Sequence, residues 1–301
     1  MSQGIAIEVN DLTKRFGAVT AVDGLSFVAQ PGRVTGFLGP NGAGKSTTLR
    51  ALVGLVRPTA GSTSIGNAPY TSLHQPGRTV GVHLEAAFHP GRTGRDHLRT
   101  FAPLVGADDA RCDSVLAAVG LTDAANRRVG GYSLGMRQRL GLATALLGDP
   151  QVLVLDESAN GLDPAGIKWL REFLRDFAGR GGTVLLSSHL LTEVQQTVDD
   201  VVIIAGGTLR HQSTLTELSG MVHSAVTLRS PNEAGLKDFV KTRFSKQGSI
   251  PAPTEAVILG ASKADVGAAA FADGLEVHEL SAAGESLEDV FLRLTATEVP
   301  A

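Results

Sequence analysis

Cysteine is nearly absent. Cys112 is the only one in 301 residues, so neither an internal disulfide nor a cysteine metal cluster can form. A lone thiol reads as an inert packing residue in a reducing cytoplasm. Aromatic residues are scarce at 5%, the net charge is −3, and no cluster of Lys and Arg occurs. A base-stacking platform and a basic nucleic-acid footprint are both missing, so no nucleic-acid partner is expected. Long apolar runs are missing too. Val201–Ala205 is strand-sized, far short of the roughly 20 residues that cross a bilayer. The first residues lack the charged start and apolar core of a signal peptide. There is no internal repeat and no low-complexity segment. At 43% hydrophobic and 19% charged, the composition is that of an ordinary soluble globular protein. Its length suits one large domain and a smaller one.

The most informative stretch is Gly39-Pro40-Asn41-Gly42-Ala43-Gly44-Lys45-Ser46-Thr47. It matches the P-loop pattern, two spaced glycines followed by Lys and Ser/Thr. The apolar run Val34–Leu38 reads as a buried strand feeding the loop, and Ser46–Val53 as the helix leaving it. Glycines let backbone N–H groups close around phosphate oxygens, and the helix N-terminus adds partial positive charge. Lys45 is expected to reach the β- and γ-phosphates, and the Ser46 hydroxyl to ligate Mg²⁺. These residues predict a nucleoside-triphosphate site.

Around it, Ile5–Val9 and Leu25–Ala29 alternate like strands. Helices are predicted over Gly94–Phe101, Ala110–Val119 and Leu134–Leu147, with Thr93 and Ser133 as caps of the first and third. Gln151–Asp156 reads as a buried strand ending in the pair Asp156-Glu157. Ala165–Ala178 reads as a helix capped by Asp163, started by Pro164 and stopped by Gly179. Thr183–His189 reads as a strand and Leu190–Asp199 as a helix. Val201–Ala205 and Thr208–His211 flank a Gly206-Gly207 hairpin signal. Strands alternating with helices predict a mostly parallel sheet covered on both faces. A separate unit begins near Gly220, with strands at Ala225–Leu228, Ala256–Leu259 and Leu275–Leu280. An amphipathic helix after Ser286 closes it, with Asp289 completing a capping box.

Asp156-Glu157 at the end of an apolar strand supplies the second half of a nucleotide hydrolysis site. An Asp in that place holds Mg²⁺, and the neighbouring carboxylate can deprotonate the attacking water. Further motifs carry a resemblance. Tyr132-Ser133-Leu134-Gly135-Met136 before Arg137-Gln138-Arg139 resembles the signature motif of ABC-type ATPases. Asn160-Gly161-Leu162-Asp163 resembles their D-loop, His189 their switch histidine, and Phe16-Gly17 their aromatic A-loop. The elements run in the family's order from residue 5 to about 215, and the whole chain is similar to drug- and bacitracin-type export ATPases.

The resemblance implies an α/β fold: a P-loop ATPase core with a mostly parallel sheet, an antiparallel β part at the N-terminus, a helical subdomain and a small α+β C-terminal extension. It implies an ATPase domain over 1–218, with the helical subdomain at about 85–147, and the extension over 219–301. Phe16 would stack on adenine, and Ser133, Leu134 and Gly135 would meet the γ-phosphate held by a second subunit. His189 would position the water, although as a lone histidine it is also compatible with a satisfied core role. The implied cofactors are ATP and Mg²⁺. The implied partners are a second copy or a similar ATPase subunit, and separate transmembrane permease subunits. The implied location is peripheral, at the inner face of the cell membrane.

Some positions depart from the family pattern. Glu85 in Val80-Gly81-Val82-His83-Leu84-Glu85 stands where glutamine is usual; it reads either as a further Mg²⁺ contact or as a solvated loop acid. Leu134 replaces glycine, Met136 glutamine, and Ser158 the proline after Glu157. The alternative function is a soluble ABC-type ATPase acting on ribosomes or nucleic acid. The transported substrate is not legible.

Overall fold

The computed structural model describes residues 4–84, 88–222, 225–282, 284 and 286–296. The chain divides into two compact units, one reaching to Leu215 and taking in the residues from Leu294, the other spanning Thr216–Arg293.

The first unit opens with two long strands, β1 (Ile7–Phe16) and β2 (Val19–Ala29), followed by the five-residue β3 (Val34–Leu38), α1 (Lys45–Leu52) and β4 (Ala60–Ile65). β2, β1 and β4 form an antiparallel sheet in that order. Next come α2 (Pro76–Thr79), β5 (Val80–His83) and the helices α3 (Gly94–Val105), α4 (Asp109–Ala118) and α5 (Leu134–Leu146). The remainder alternates: β6 (Val152–Asp156), α6 (Pro164–Gly179), β7 (Thr183–Ser188), α7 (Leu191–Val194), β8 (Asp200–Ala205) and β9 (Thr208–Thr214).

The large sheet has the order β5-β6-β7-β3-β8-β9, parallel except for the β8–β9 hairpin. Gly206 and Gly207 take φ of 57° and 80°, the left-handed pair a two-residue hairpin requires. Every residue of β3 and β7 is buried. Strands buried along their whole length are covered on both faces, and they bury more surface than an alternating strand can. Register then decides where chemistry gathers. Leu38 pairs with Ser188, and Asp156 with Ser187. The C-terminal ends of β3, β6 and β7 therefore meet at one edge, where open parallel sheets bind ligands.

The expected caps are present. Thr93 Oγ1 accepts from Asp96 N at 3.1 Å, Ser133 Oγ from Met136 N at 3.2 Å, and Asp163 Oδ1 from Gly166 N at 2.8 Å. Three helix ends differ from expectation. α6 runs through Gly179 to a cap at Arg180. α3 continues past Phe101 to Val105 with Pro103 in its last turn, and Gly106 (φ 64°) and Ala107 close the end through Ala102 O. α7 stops at Val194 rather than near Asp199. The following chain is drawn onto β3: Asp199 N donates to Val34 O at 2.8 Å, and Val34 N donates to the Asp199 carboxylate at 2.9 Å. Tertiary strand pairing overrides a weak local helix here.

In the second unit, α8 (Leu215–Gly220) leads to β10 (Ala225–Arg229), α9 (Glu233–Arg243), β11 (Gly248–Ala252), β12 (Glu255–Leu259), α10 (Lys263–Ala272), β13 (Glu279–Ala282) and α11 (Leu287–Thr295). The antiparallel sheet order β11-β12-β10-β13 with a β-α-β-β-α-β succession is ferredoxin-like. Val226, Leu228, Phe239, Ile258 and Val266 fill its core. The strand expected at Leu275–Leu280 is confined to Glu279–Ala282. Gly274 (φ 66°) turns the chain so that Leu275 N bonds Ala270 O, tying that segment to the helix end instead. Ser286 and Asp289 form the expected reciprocal cap.

Within α3, buried His97 lies between Phe88 and Phe101, its ring centroid 5.0 and 5.1 Å from theirs. Burial, helped by the nearby Arg92 charge, lowers its pKa from 6.5 to about 4. A depressed histidine pKa means that the unfolded chain takes up the proton first as pH falls. The contribution of neutral His97 is thus complete above pH 6.5 and is lost on acidification toward about pH 4. We expect His97→Phe to remove about 2 kcal/mol of the stability difference between pH 7.5 and pH 5. Urea midpoints of both proteins at the two pH values measure this, and parallel acid profiles would refute it.

Candidate nucleotide site

The glycine loop takes its shape from crowding around it. A Cβ on Gly39 would lie 2.3 Å from Ile204 O, and one on Gly44 (φ +102°) would lie 2.5 Å from Ala21 O. Neither position admits a side chain without moving backbone. α1 starts directly at Lys45. The Lys45 Nζ donates to Gly39 O at 2.6 Å and Pro40 O at 3.2 Å, so the ammonium lies beneath the loop and is only 5% exposed. Burial lowers its pKa, while Glu157 and Asp156 pull in the opposite direction.

The carboxylates arrive on the neighbouring strands. Asp156 ends β6, and its Oδ1 accepts from the Ser187 hydroxyl of β7. The same hydroxyl accepts from Glu157 N at 3.1 Å. Glu157 has φ +48°, an uncommon left-handed conformation that turns the chain out of the strand. Its Oε1 lies 3.9 Å from Lys45 Nζ and 3.2 Å from His189 Nδ1, and its Oε2 accepts from the Asn160 carboxamide. Glu157 is held from three sides by residues of three different segments.

Two carboxylates thus face one ammonium, which leaves negative charge for a cation to balance. Ser46, half-buried in the first turn of α1, adds a hydroxyl oxygen. No group of three or more His, Cys, Asp or Glu able to hold a metal exists among the described residues. An oxygen-loving divalent cation bound here would take its remaining ligands from phosphate and water, as Mg²⁺ does. The donor set therefore fits Mg²⁺ together with a triphosphate. Glu85 lies outside the described residues.

The other sequence-predicted residues stand apart from this cluster. Ser133 caps α5, whose first residues Leu134 and Gly135 carry the backbone N–H groups of a helix start. No hydrogen bond or ion pair among the described residues joins them to the glycine loop. They touch the Asn160–Asp163 loop instead. A Cβ on Gly161 (φ +77°) would lie 2.2 Å from Leu134 Cδ2, so the leucine that replaces the usual glycine rests on bare backbone. Phe16, at the end of β1, is 51% exposed with Lys14 Nζ 4.7 Å from its ring centroid. The ammonium covers one face of this half-exposed ring in a cation–π contact. Two polar contributors escaped sequence reading, Ser187 and the side chain of Asn160. The available signal was a serine pair at the end of an otherwise apolar strand.

The chain matches the family described as ABC transporter over residues 22–160. It is 43% identical over 207 residues to the bacitracin transport ATP-binding protein BcrA of Bacillus licheniformis, covering 67% of this chain and 68% of that protein. It is 35% identical over 312 residues to the Nod factor export ATP-binding protein I of Burkholderia lata, covering 97% and 98% respectively. Among solved structures, the ATP binding subunit of an ABC transporter superposes with a TM-score of 0.64 at 28% identity, over 71% of this chain and 92% of that one.

Ser158, beside Glu157, is 3% exposed and its hydroxyl has no partner among the described residues. Burying an unpaired hydroxyl is costly. Ser158→Ala is expected to leave stability unchanged or raise it by about 1 kcal/mol. A drop in the thermal midpoint of several degrees would show that the hydroxyl is satisfied.

Proposed function

Since the chain belongs to the ABC transporter family of ATP-binding subunits, we propose that it is the ATP-hydrolysing motor of an exporter whose membrane domains are separate polypeptides. Among the described residues no helix is long and apolar enough to cross a membrane, which accords with separate membrane partners. The observation that carries the reading is Glu157 gripped by Lys45, His189 and Asn160 beside the glycine loop.

The residues divide the work as follows. Gly39, Pro40, Asn41, Gly42, Ala43 and Gly44 form the cradle, with Ser46 and Thr47 at the helix start beyond it, and the backbone N–H groups of all but Pro40, which has none, take the phosphate oxygens. Lys45 exchanges the Gly39 and Pro40 carbonyls for phosphate, a gain because charge-assisted bonds to an anion are stronger than bonds to neutral acceptors. Ser46 and Asp156 hold Mg²⁺, with Glu85 as a further contact. When bound, the metal neutralises charge on the β- and γ-phosphate oxygens. Glu157 accepts the proton of the attacking water, and His189 hydrogen-bonds the γ-phosphate and positions that water. Phe16 stacks on adenine.

A single copy of each motif, with Ser133–Gly135 unconnected to the chain's own cradle, supports a head-to-tail dimer. In it the α5 N-terminus of one copy faces the triphosphate held by the other. ATP closes the pair, and loss of the γ-phosphate contacts reopens it. The segment from Glu85 to Phe101 passes the motion to the membrane partner. A groove of about 480 Å³ lined by Phe88, Pro90, Val129, Gly130 and Arg137 borders that segment. The protein accordingly works at the inner face of the cell membrane, and the cargo is an antibiotic or another amphiphile. The relatives named for bacitracin transport and Nod factor export support this direction. Action on ribosomes or nucleic acid finds no support: the relatives are named for transport, and the charge of −3 lacks a basic cluster.

Glu157→Gln keeps the hydrogen-bonding shape but not the basicity. It should bind ATP with Mg²⁺ at wild-type affinity, lose turnover by about 10²–10⁴-fold, and run as a dimer in light scattering with ATP present. Turnover comparable to the unmodified protein would remove Glu157 from its role. A monomer at saturating ATP would remove the sandwich.

A further inference from the structure

His83 ends β5, in register with Leu155 and therefore one residue short of Asp156 on the neighbouring strand. Its ring is 5% exposed, and its Nε2 lies 2.7 Å from Gln138 Oε1 on α5. A carboxamide oxygen only accepts, so the imidazole donates. The ring also lies directly on the helix backbone at Gly141. A Cβ there would fall 2.2 Å from His83 Cε1 and 2.5 Å from Nδ1. Gln138 and Gly141 are three residues apart and share one face of α5. His83 thus touches α5 twice, once by a directional bond and once by close contact that only glycine permits.

Elsewhere among the described residues α5 is bonded to helical neighbours and not to the sheet: Arg139 donates to Val119 O at 3.2 Å, and Arg111 of α4 donates to Leu146 O at 2.6 Å. The Arg139 guanidinium lies 4.7 Å from the Trp169 ring centroid on α6. The apolar contacts of α5, including Leu140 and Leu142, resist separation but are non-directional. Among the described residues, the His83 bond is the one that references the tilt of α5 to a strand end of the sheet. Gln138 is five residues from Ser133, about 7.5 Å along the axis. A tilt of about 10° about that point moves the α5 N-terminus by about 1 Å, and a misplacement of that size can cost about 10²-fold in rate.

We infer that His83, through Gln138, is a positioning residue for ATP hydrolysis: it ties the edge of the sheet that carries Asp156 to the helix whose N-terminus faces the partner's triphosphate. This rests on the dimer sandwich proposed above. Nothing in it alters the cradle of the same chain, so nucleotide binding to the monomer and turnover by the dimer should separate.

The test uses the full chain with His83→Met, Gln138→Met, both together, and His83→Gln, which restores an N–H at similar reach. ATP affinity is read by equilibrium titration, turnover at saturating ATP, and ATP-dependent dimerisation in the Glu157→Gln background. We expect each single variant to lose about tenfold or more in kcat with affinity within about twofold. The double variant should be no slower than either single one, because the pair acts as a unit, and His83→Gln should recover most of the rate. Unchanged kcat in His83→Met, multiplied losses in the double variant, losses matched by weaker ATP binding, or His83→Gln as slow as His83→Met would each overturn the assignment. If His83→Met does not fold, Gln138→Met carries the same readouts. If Glu157→Gln with His83 intact fails to dimerise, the sandwich itself is wrong and the inference falls with it; a dimer that forms while the His83 variants turn over normally sinks the inference alone.

Discussion

A buried ammonium organises this site. Lys45 Nζ sits under the glycine loop on two neutral carbonyls, with Glu157 and Asp156 close enough to oppose the desolvation that burial imposes. Taking a charge out of water costs several kcal/mol unless it is paired, so the arrangement holds only if loop and carboxylates stay in register. That register is set by parallel pairing of β3 with β7 and β7 with β6. The buried strands are rigid because they are covered on both faces, and the charged groups at their ends inherit that rigidity. Ser187 completes it by bonding both Asp156 and the backbone of Glu157.

The second constraint is backbone freedom at a few points. Glu157 leaves the strand with positive φ, which swings its side chain back toward Lys45 and His189. Gly161 yields its surface to Leu134, and Gly141 to His83. At each glycine the missing Cβ brings α5 against another segment. The helix that carries Ser133 is thereby located relative to the carboxylates without any contact between its N-terminus and the glycine loop. In the dimer proposed above, a second copy supplies the half of the site that this chain's own helix start does not reach.

Much of the site was legible because its signals are local. The glycine spacing, the apolar strand before it, the acid pair after Leu155 and the caps at Thr93, Ser133 and Asp163 each depend on a few consecutive residues. Other parts resisted for identifiable reasons. The segment after Val194 has helical texture, yet backbone pairing of Asp199 with Val34 takes it into the sheet. β11 holds Pro251 and little apolar surface, so nothing marked it, although an edge strand tolerates both. α9 and α10 went unread, since their apolar positions make sense only against the strands of the second unit.

The order of motifs, the chemistry of each side chain and the membership of an ATP-binding family were determined by the residues alone, because spacing along a chain suffices for a loop, a cap or a strand end. Which groups meet was decided only by the folded chain. Ser187 on Asp156 and His83 on Gln138 are contacts between residues 31 and 55 positions apart. No local rule connects such positions. Strand register and the absence of a Cβ at Gly141 and Gly161 do.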